Sequence, residues 1–243
     1  MENKKQRTAL VTGATGGLGT AMCKKLSENN FNVIANYRNK EKALAWQQEL
    51  KNEGFDIEIV EGDVCDFDSM EKMIKEIEEK FGGVDILVNN AGITKDGRLA
   101  RMKKEDWDAV INTNLNSVFN TTRNVIEGMI ERNFGRIINI SSVNGQRGQF
   151  GQTNYSAAKA GMHGFTKTLA MEVAKFGITV NTISPGYIAT DMVMAVPEKV
   201  REQIVAQIPI GRHGGTHEVA HLVCFLASDE TSFITGANYS ING

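Results

Sequence analysis

Strand-like and helix-like segments alternate along almost the whole of this sequence. We expect strands near residues 8–12, 32–36, 58–61, 85–88, 136–140, 178–183 and 238–241. Apolar residues at helical spacing occupy the intervals between them. Strict alternation of this kind predicts a doubly wound parallel sheet with helices on both faces, which is an α/β fold. In such a sheet, ligands bind beyond the carboxyl ends of the strands.

Composition excludes several other classes of protein. The 243 residues, 41% hydrophobic, suffice for one sizeable core, so we expect a single domain over residues 1–243. A net charge of -2 and scattered basic residues argue against nucleic-acid binding. Residues 1–7 lack the apolar run of a signal peptide, and no apolar stretch is long enough for a bilayer, so we expect a cytoplasmic protein without membrane contact. The widely spaced cysteines indicate neither a disulfide framework nor a cysteine metal site.

A glycine-rich turn follows the first strand directly. Residues 13–19 read Gly-Ala-Thr-Gly-Gly-Leu-Gly and lead into a helical pattern. Glycines let backbone N–H groups approach a pyrophosphate, and a helix N-terminus adds partial positive charge. An ordinary turn would also contain glycines, but the place at the first strand-to-helix junction favours dinucleotide binding by a Rossmann-type fold. The candidate residues are Gly13, Thr15, Gly16, Gly17, Leu18 and Gly19.

The end of the second strand indicates which dinucleotide binds. An acidic side chain there would accept a hydrogen bond from a free ribose 2′-hydroxyl, but residues 36–38 read Asn-Tyr-Arg. The guanidinium of Arg38 suits bidentate contact with a 2′-phosphate. We therefore expect NADPH rather than NADH; the alternative is that Arg38 is a solvated loop cation.

The third and fourth strands end in loops at the same predicted edge of the sheet. Small residues in these loops allow the backbone to lie close to a cofactor. Further cofactor-binding candidates are Gly62, Asp63 and Val64 after the third strand, and Asn90, Ala91, Gly92, Ile93 and Thr94 after the fourth.

The segment from Ser142 to Lys159 carries the candidate chemistry. If its second half is helical, Tyr155 and Lys159 lie one turn apart on one face. A neighbouring ammonium favours the phenolate and would lower the phenol pKa toward the working range. The same spacing also occurs by chance in exposed pairs, so the pattern alone leaves both interpretations open. Upstream, residues 112–115 interrupt a helical pattern and predict a local bend or a water site.

A zinc-protease-like pattern lies near the end of the chain. Residues 217–221 read His-Glu-Val-Ala-His, which places two imidazoles one helical turn apart with a glutamate between them. His213 is the one nearby candidate for a third ligand, and the dinucleotide motifs lie far away in sequence. We therefore expect no metal site here, and we interpret His163 as ordinary helix surface.

Taken together, these motifs resemble the short-chain dehydrogenase/reductase family. The resemblance covers essentially the whole chain and depends on the order and spacing of the motifs. They are Thr12-Gly-x-x-x-Gly-x-Gly19, Asn89-Asn-Ala-Gly92, Asn114, Ser142, Tyr155-x-x-x-Lys159 and Pro185-Gly186.

The resemblance implies a role for each catalytic candidate. Tyr155 would give a proton to a ketone oxygen as hydride arrives from the cofactor, and Ser142 would donate a hydrogen bond to the same oxygen. Lys159 would bind the nicotinamide ribose and lower the Tyr155 pKa, while Asn114 would hold a water that links Lys159 to solvent. The nicotinamide carboxamide would bind the backbone of Pro185, Gly186 and Ile188. Family members are usually homotetramers, and we expect the same here.

Within the family, residues 142–156 and 184–192 look like those of acetoacetyl-CoA reductases, which supply (R)-3-hydroxybutyryl-CoA for polyhydroxybutyrate synthesis. The alternative is a 3-oxoacyl-(acyl-carrier-protein) reductase, because those enzymes share every catalytic motif. They tend to place basic residues beside the site entrance, just before the strand that carries Ser142 and just before the next strand. This chain has Asn133, Phe134 and Phe176 at those places, which weakens the alternative. Arg132, Arg136 and Lys175 lie close by, so it stays open. A less favoured alternative is a non-catalytic NADP(H) sensor on the same fold, because all four catalytic candidates are present.

The region around the catalytic tyrosine also supplies candidates for substrate contact. Residues 189–212 are interrupted by Pro197 and are expected to form a lid over the site. Tyr187 is the preferred contact, because its hydroxyl could bond a thioester carbonyl while its ring walls the pocket. The substrate-binding candidates are Asp96, Gln149, Phe150, Gln152, Gly186 and Tyr187.

Overall fold

The computed structural model describes residues 6–195 and 197–243. Over these residues, seven strands form one sheet: β1 Thr8–Val11, β2 Asn32–Tyr37, β3 Glu58–Glu61, β4 Ile86–Asn89, β5 Gly135–Ile140, β6 Ile178–Pro185 and β7 Asn238–Ile241. All neighbouring pairs are parallel, in the order β3-β2-β1-β4-β5-β6-β7. The chain winds from β1 to one edge and then from β4 to the other. The predicted doubly wound, Rossmann-type sheet is therefore confirmed, and its crossover point lies between β1 and β4.

Helices connect the strands. They are α1 Gly17–Glu28, α2 Lys40–Asn52, α3 Phe67–Phe81, α4 Lys104–Ile111, α5 Ser117–Glu131, α6 Asn144–Arg147, α7 Thr153–Val173, α8 Asp191–Met194, α9 Glu198–Val205 and α10 Thr216–Ala227. Short 3₁₀ turns cover Leu99–Arg101, Ala174–Phe176 and Asp229–Thr231. Over the described residues, no helix combines the length and apolar character that crossing a membrane requires.

The sheet is buried on both faces because its side chains alternate between two cores. Ala9 and Val11 pack with α1, α2 and α10 on one face. Leu10, between them in β1, points the other way and packs with α3, α5 and α7. Each large apolar side chain that is fully buried in this way contributes roughly 1.5–3 kcal/mol. Two covered faces explain why the central strands β1 and β4 are mainly apolar rather than alternating with polar residues.

The helix predicted across residues 107–129 is interrupted where the sequence indicated. α4 and α5 are joined by a π turn, Asn112–Asn116, in which the Ser117 N–H donates to the carbonyl of Asn112 five residues earlier. An extra residue in one turn breaks the regular spacing of hydrogen bonds, and such turns are common at functional sites. The predicted local bend is therefore a π turn.

Candidate active site

The turn between β1 and α1 requires glycine at two positions. Gly13 has a φ of 60°, and a Cβ atom there would lie 2.8 Å from the Cα atom of Ala91. At Gly19 a Cβ atom would lie 2.4 Å from the Gly13 carbonyl oxygen. A side chain at either position would push α1 or the Asn-Ala-Gly loop away from the turn.

The first turn of α1 has the character of an anion site. Gly16 precedes the helix, and in the described part of the chain no side chain caps it and no acidic residue lies in its first turn. Backbone N–H groups and the partial positive charge of the helix terminus therefore face the loop. Together with the glycines, these groups fit the pyrophosphate of a dinucleotide.

Thr12 and Asn90 hold the loops after β1 and β4 together. The Thr12 hydroxyl accepts hydrogen bonds from the backbone N–H groups of Asn90 and Ala91, at 3.0 and 3.1 Å. The Asn90 side-chain amide donates to the carbonyl oxygens of Thr12 and Gly13, both at 3.0 Å. Because β1 and β4 are neighbours in the sheet, these bonds fix the glycine turn and the Asn-Ala-Gly loop as one surface at the crossover point.

The adenosine side of the predicted site lies at the ends of β2 and β3. The Arg38 side chain is 77% exposed, and its guanidinium lies 3.9 Å from the Asp63 carboxylate. So long a contact between exposed groups is weak, so it holds the guanidinium only loosely. The Gly62 carbonyl accepts a hydrogen bond from the Asn36 amide at 2.9 Å. Val64, also a cofactor candidate, packs its side chain into the core instead of facing outward.

Three elements bring the four predicted catalytic residues together. Ser142 lies just beyond β5, Tyr155 and Lys159 lie in the first turns of α7, and Asn114 lies in the π turn. The Ser142 hydroxyl lies close enough to the Tyr155 phenol to lower its pKa. The Lys159 ammonium lies 5.6 Å from the centre of the Tyr155 ring and donates to the Ile140 carbonyl at 2.8 Å.

Asn114 is fully buried and binds the backbone of the loop after β4. Its Oδ1 atom accepts from the Ile93 N–H at 2.8 Å, and its Nδ2 atom donates to the Ile93 carbonyl at 2.9 Å. A Cβ atom at Gly92 would lie 3.4 Å from Asn114 Oδ1 and 3.6 Å from Lys159 Nζ. Glycine at position 92 therefore keeps the space beside these two polar groups open.

Burial controls the protonation of Lys159. The residue is only 3% exposed, and removal from water lowers the pKa of its ammonium to about 7. The side chain is therefore close to half-protonated at neutral pH. A lysine with so low a pKa changes charge readily when an anion forms or leaves nearby.

The pKa of Tyr155 moves in the direction opposite to the prediction. Burial raises it above the ordinary phenol value, the hydrogen bond with Ser142 lowers it, and the Asp96 carboxylate raises it further. The expected lowering by Lys159 is not found; the Lys159 ammonium instead donates to the Ile140 carbonyl at 2.8 Å. Tyr155 consequently keeps its proton at neutral pH.

Asn154 positions the start of α7, and the sequence patterns gave no sign of this role. Its buried amide donates to the carbonyl oxygens of Lys95 and Asp106, at 3.0 and 3.3 Å. Its Oδ1 atom accepts from the N–H of Tyr155 at 2.8 Å. Asn154 therefore ties the helix that carries Tyr155 and Lys159 to the loop after β4. An asparagine at a helix start is a weak signal, because capping alone would explain it.

The interpretation of His163 as helix surface is wrong. Its imidazole is half-buried, with Nε2 lying 3.0 Å from the Ser141 hydroxyl and 3.4 Å from the Ser184 hydroxyl. Burial lowers its pKa below the ordinary value, and the Lys167 charge adds to the effect. His163 thus joins α7 to the ends of β5 and β6, directly beside Ser142 and Pro185.

Two cavities that share several lining residues lie beside Tyr155. The larger, of about 250 Å³, contains many of the predicted cofactor residues. Those in its wall are Leu18, Asn90, Gly92, Ile93, Thr94, Tyr155, Lys159, Pro185, Gly186 and Ile188. The smaller, of about 140 Å³, is lined by Ser142, Tyr155 and three of the predicted substrate residues, Gln152, Gly186 and Tyr187. The structure thus places the cofactor and substrate candidates on adjoining walls.

The remaining substrate candidates lie at the rim. Asp96 accepts a hydrogen bond from the Gln152 amide at 2.8 Å, and Gln152 accepts one from Asn144 at 2.9 Å. Gln149 and Phe150 are exposed, Phe150 by 77%, and neither belongs to the described walls of these two cavities. Asp96 therefore orients Gln152, which lines the smaller cavity, while Phe150 lies outside both cavity walls.

The comparison of basic residues near the site entrance needs correction. Asn133 and Phe134 precede β5, and Phe176 precedes β6, so all three lie at the amino ends of these strands. The candidate site lies at the carboxyl ends, which form the opposite edge of a parallel sheet. The Phe134 ring packs against the guanidinium groups of Arg7 and Arg136, 3.4 and 4.4 Å from its centre. The residues at these positions therefore do not line the entrance of this chain's own site, and they do not distinguish the two substrates there.

The His-Glu-x-x-His segment has a structural explanation. Glu218 forms a two-pronged ion pair with Arg212, at 2.7 and 2.9 Å, and accepts from the Gly215 N–H at 2.6 Å. The Arg212 hydrogen bonds and the Gly215 N–H lower the pKa of this carboxyl to about 2. Glu218 thus fixes the start of α10. Within the described ranges, no three His, Cys, Asp or Glu side chains are grouped so as to hold a metal ion.

The chain is similar over most of its length to a known protein family and to several known reductases. The short chain dehydrogenase family model matches residues 7–201. An acetoacetyl-CoA reductase of Allochromatium vinosum is 55% identical over 98% of this chain and 97% of its own length. An acetoacetyl-CoA reductase of Cupriavidus necator is 53% identical over the same shares. A 3-oxoacyl-(acyl-carrier-protein) reductase of Staphylococcus aureus is 46% identical over 99% of this chain and 98% of its own length.

Proposed function

Because the chain belongs to the short-chain dehydrogenase family, an oxidoreductase family that uses a nicotinamide cofactor, we propose that it reduces acetoacetyl-CoA to (R)-3-hydroxybutyryl-CoA with NADPH. The observation that carries this proposal is the small cavity that joins Ser142 and Tyr155 to Gln152 and Tyr187. It places a proton donor, a hydrogen-bond donor and two substrate candidates around one space.

The chain's own groups would handle the proton and the developing charge. When bound, the cofactor supplies the hydride that reaches the ketone carbon. Tyr155 donates its proton to the ketone oxygen, and the Ser142 hydroxyl donates a hydrogen bond to the same oxygen. Lys159, with a pKa of about 7, gains positive charge as the phenolate forms and so favours it. Asn114 fixes the adjacent loop through Ile93 and is the proposed holder of a relay water.

NADPH is the proposed cofactor. The glycine turn and the first turn of α1 would hold the pyrophosphate, and the wall from Pro185 to Ile188 would hold the nicotinamide. The exposed guanidinium of Arg38 lies at the end of β2, where the 2′-phosphate would lie. Its only described ion pair is the long contact with Asp63, which a phosphate would replace.

The substrate assignment has two lines of support. Relatives named acetoacetyl-CoA reductase are 55% and 53% identical to this chain, whereas the relative named for acyl carrier protein is 46% identical. The 140 Å³ cavity also suits a short acyl group rather than a long one. A role in polyhydroxybutyrate synthesis follows from this substrate.

Further parts of the proposal concern the whole molecule. We place it in the cytoplasm, as a single domain over residues 1–243 that assembles into a homotetramer through α5 and α7. Residues 189–212 would form the lid. Thr190 and Val193 already contribute to the larger cavity, and the backbone of Ala189 is held to Gly214 at 2.8 Å.

The decisive experiment compares the two carriers. NADPH oxidation is followed with acetoacetyl-CoA and with acetoacetyl-acyl carrier protein at matched concentrations, and the proposal expects the higher kcat/KM for acetoacetyl-CoA. A higher value for the carrier-protein substrate would establish the alternative, a 3-oxoacyl-(acyl-carrier-protein) reductase. The fold and the roles proposed for Asn114, Ser142, Tyr155 and Lys159 would be unaffected. Activity with neither thioester would reject both.

A further inference from the structure

Two arginine–aromatic pairs lie at the rim of the site. The Arg98 guanidinium lies 5.2 Å from the centre of the Phe150 ring, and the Arg147 guanidinium lies 5.9 Å from the centre of the Tyr187 ring. Tyr187 lines both cavities beside Tyr155. The Arg147 and Tyr187 pair is therefore in contact with the wall of these cavities.

The loops that carry these pairs are held to one another. The Gly97 N–H donates to the Gly151 carbonyl at 2.8 Å, and the Gln152 amide donates to the Asp96 carboxylate at 2.8 Å. Phe150 precedes these two anchor points in its loop, and Arg98 follows them in the other. The Arg98 and Phe150 contact therefore belongs to a tied rim rather than to two independent loops.

The charges of Arg98 and Arg147 are unneutralised within the described part of the chain. Five other arginines there lie within 4.0 Å of a carboxylate, whereas these two have none at that distance. The paired ones are Arg7, Arg38, Arg123, Arg132 and Arg212. An arginine stacked against an aromatic ring still presents its N–H edge, which matches phosphate oxygens in a bidentate manner.

The cavities leave most of the proposed substrate outside. The two cavities, of about 250 and 140 Å³, would hold the nicotinamide and the acyl thioester. They leave no room for the nucleotide part of coenzyme A. Building on the proposed function, we propose that Arg98 and Arg147 bind the phosphate groups at the nucleotide end of coenzyme A. The exposed face of Phe150 then lies where an adenine ring can stack.

Other anions fit this rim less well. The phosphates of the dinucleotide are accounted for at the glycine turn and at Arg38, on the β1 and β2 side of the crossover point. An acidic carrier protein would favour a broad basic surface, whereas here the Asp96 carboxylate belongs to the same hydrogen-bonded rim through Gln152. Two guanidinium groups beside two aromatic rings match a small nucleotide better.

The test separates the nucleotide from the reacting group. The unmodified protein, Arg98→Gln, Arg147→Gln and the double variant are assayed with acetoacetyl-CoA and with acetoacetyl-pantetheine, which lacks every phosphate. Arg101→Gln is the matched control. Arg101 is an exposed arginine close to Arg98 in the chain, and among the described residues it contacts neither the Phe150 ring nor the Tyr187 ring. We expect each single variant to lower kcat/KM for acetoacetyl-CoA about tenfold and to leave acetoacetyl-pantetheine within about twofold.

Three results would overturn the assignment. An equal loss with both thioesters would mean that the arginines shape the cavity, and an equal loss in Arg101→Gln would mean a diffuse electrostatic field. With acetoacetyl-acyl carrier protein assayed as a third substrate, a loss confined to that substrate would mean that the rim docks a protein. The affinity of each variant for free coenzyme A, measured by calorimetry, reports on the proposed arginine site independently of turnover. If no thioester is reduced but coenzyme A affinity still depends on both arginines, the proposed function fails and the site stands.

Discussion

Replacing Lys159 by methionine tests the electrostatics at the centre of the site. Burial lowers the pKa of the folded lysine to about 7, whereas an unfolded lysine titrates near 10.4. Below pH 7 the side chain is protonated in both states, so the full cost of burying the ammonium is present. Between about pH 7 and 10.4 the unfolded chain binds more protons than the folded protein, so the free energy of unfolding rises with pH.

The expected slope is about 1.4 kcal/mol per pH unit, which amounts to roughly 3 kcal/mol between pH 7.0 and 9.5. Methionine matches the length of the buried stem and has no charge, so the difference in unfolding free energy between the two proteins isolates the lysine. Urea denaturation at one protein concentration, without nucleotide, measures that difference at each pH. The exposed Lys51→Met is the control and should show no such slope. A constant difference between the unmodified protein and Lys159→Met would refute the argument.

Three further results are expected. Tyr155→Phe should keep nucleotide binding and lose turnover by about a hundredfold or more; full activity in this variant would end the proton-donor role. Arg38→Ala should weaken NADPH binding by about 1.5 kcal/mol or more and leave NADH nearly unchanged in fluorescence titrations; equal losses would mean that Arg38 does not contact the 2′-phosphate. Light scattering at working concentration should give the mass of a tetramer, and a monomer mass would contradict the proposed assembly.

Periodicity predicted nearly every strand and long helix of this fold. β3 and β7 have the predicted bounds, and the other strands differ by one or two residues at their ends. The success has a physical cause, since a sheet covered on both faces needs apolar strands and amphipathic helices in alternation. α6 escaped prediction, because a helix of four residues, Asn144–Arg147, is too short to show a period.

Site residues could be predicted from the sequence only where they belong to short local motifs. The glycine turn and the Tyr155 and Lys159 pair are of this kind. Asn154 and His163 were missed because their partners come from distant parts of the chain, such as Lys95 for Asn154 and Ser184 for His163. Short polar residues on a helix carry no sign of which loop or strand end will lie beside them. For the same reason, Asn133, Phe134 and Phe176 were predicted to lie beside the site. They lie at the amino ends of β5 and β6, whereas the site lies at the carboxyl ends of the strands.

The raised pKa of Tyr155 and the lowered pKa of Lys159 both suit the proposed reduction. A proton donor has to keep its proton until negative charge develops on the ketone oxygen, and burial holds Tyr155 in that form at neutral pH. Burial also lowers the Lys159 pKa to about 7, so that an emerging phenolate raises the lysine pKa and favours its protonated form. Charge on Lys159 then stabilises the phenolate that proton donation leaves behind. Oxidation would start from that phenolate, which is the form of Tyr155 that burial disfavours at neutral pH.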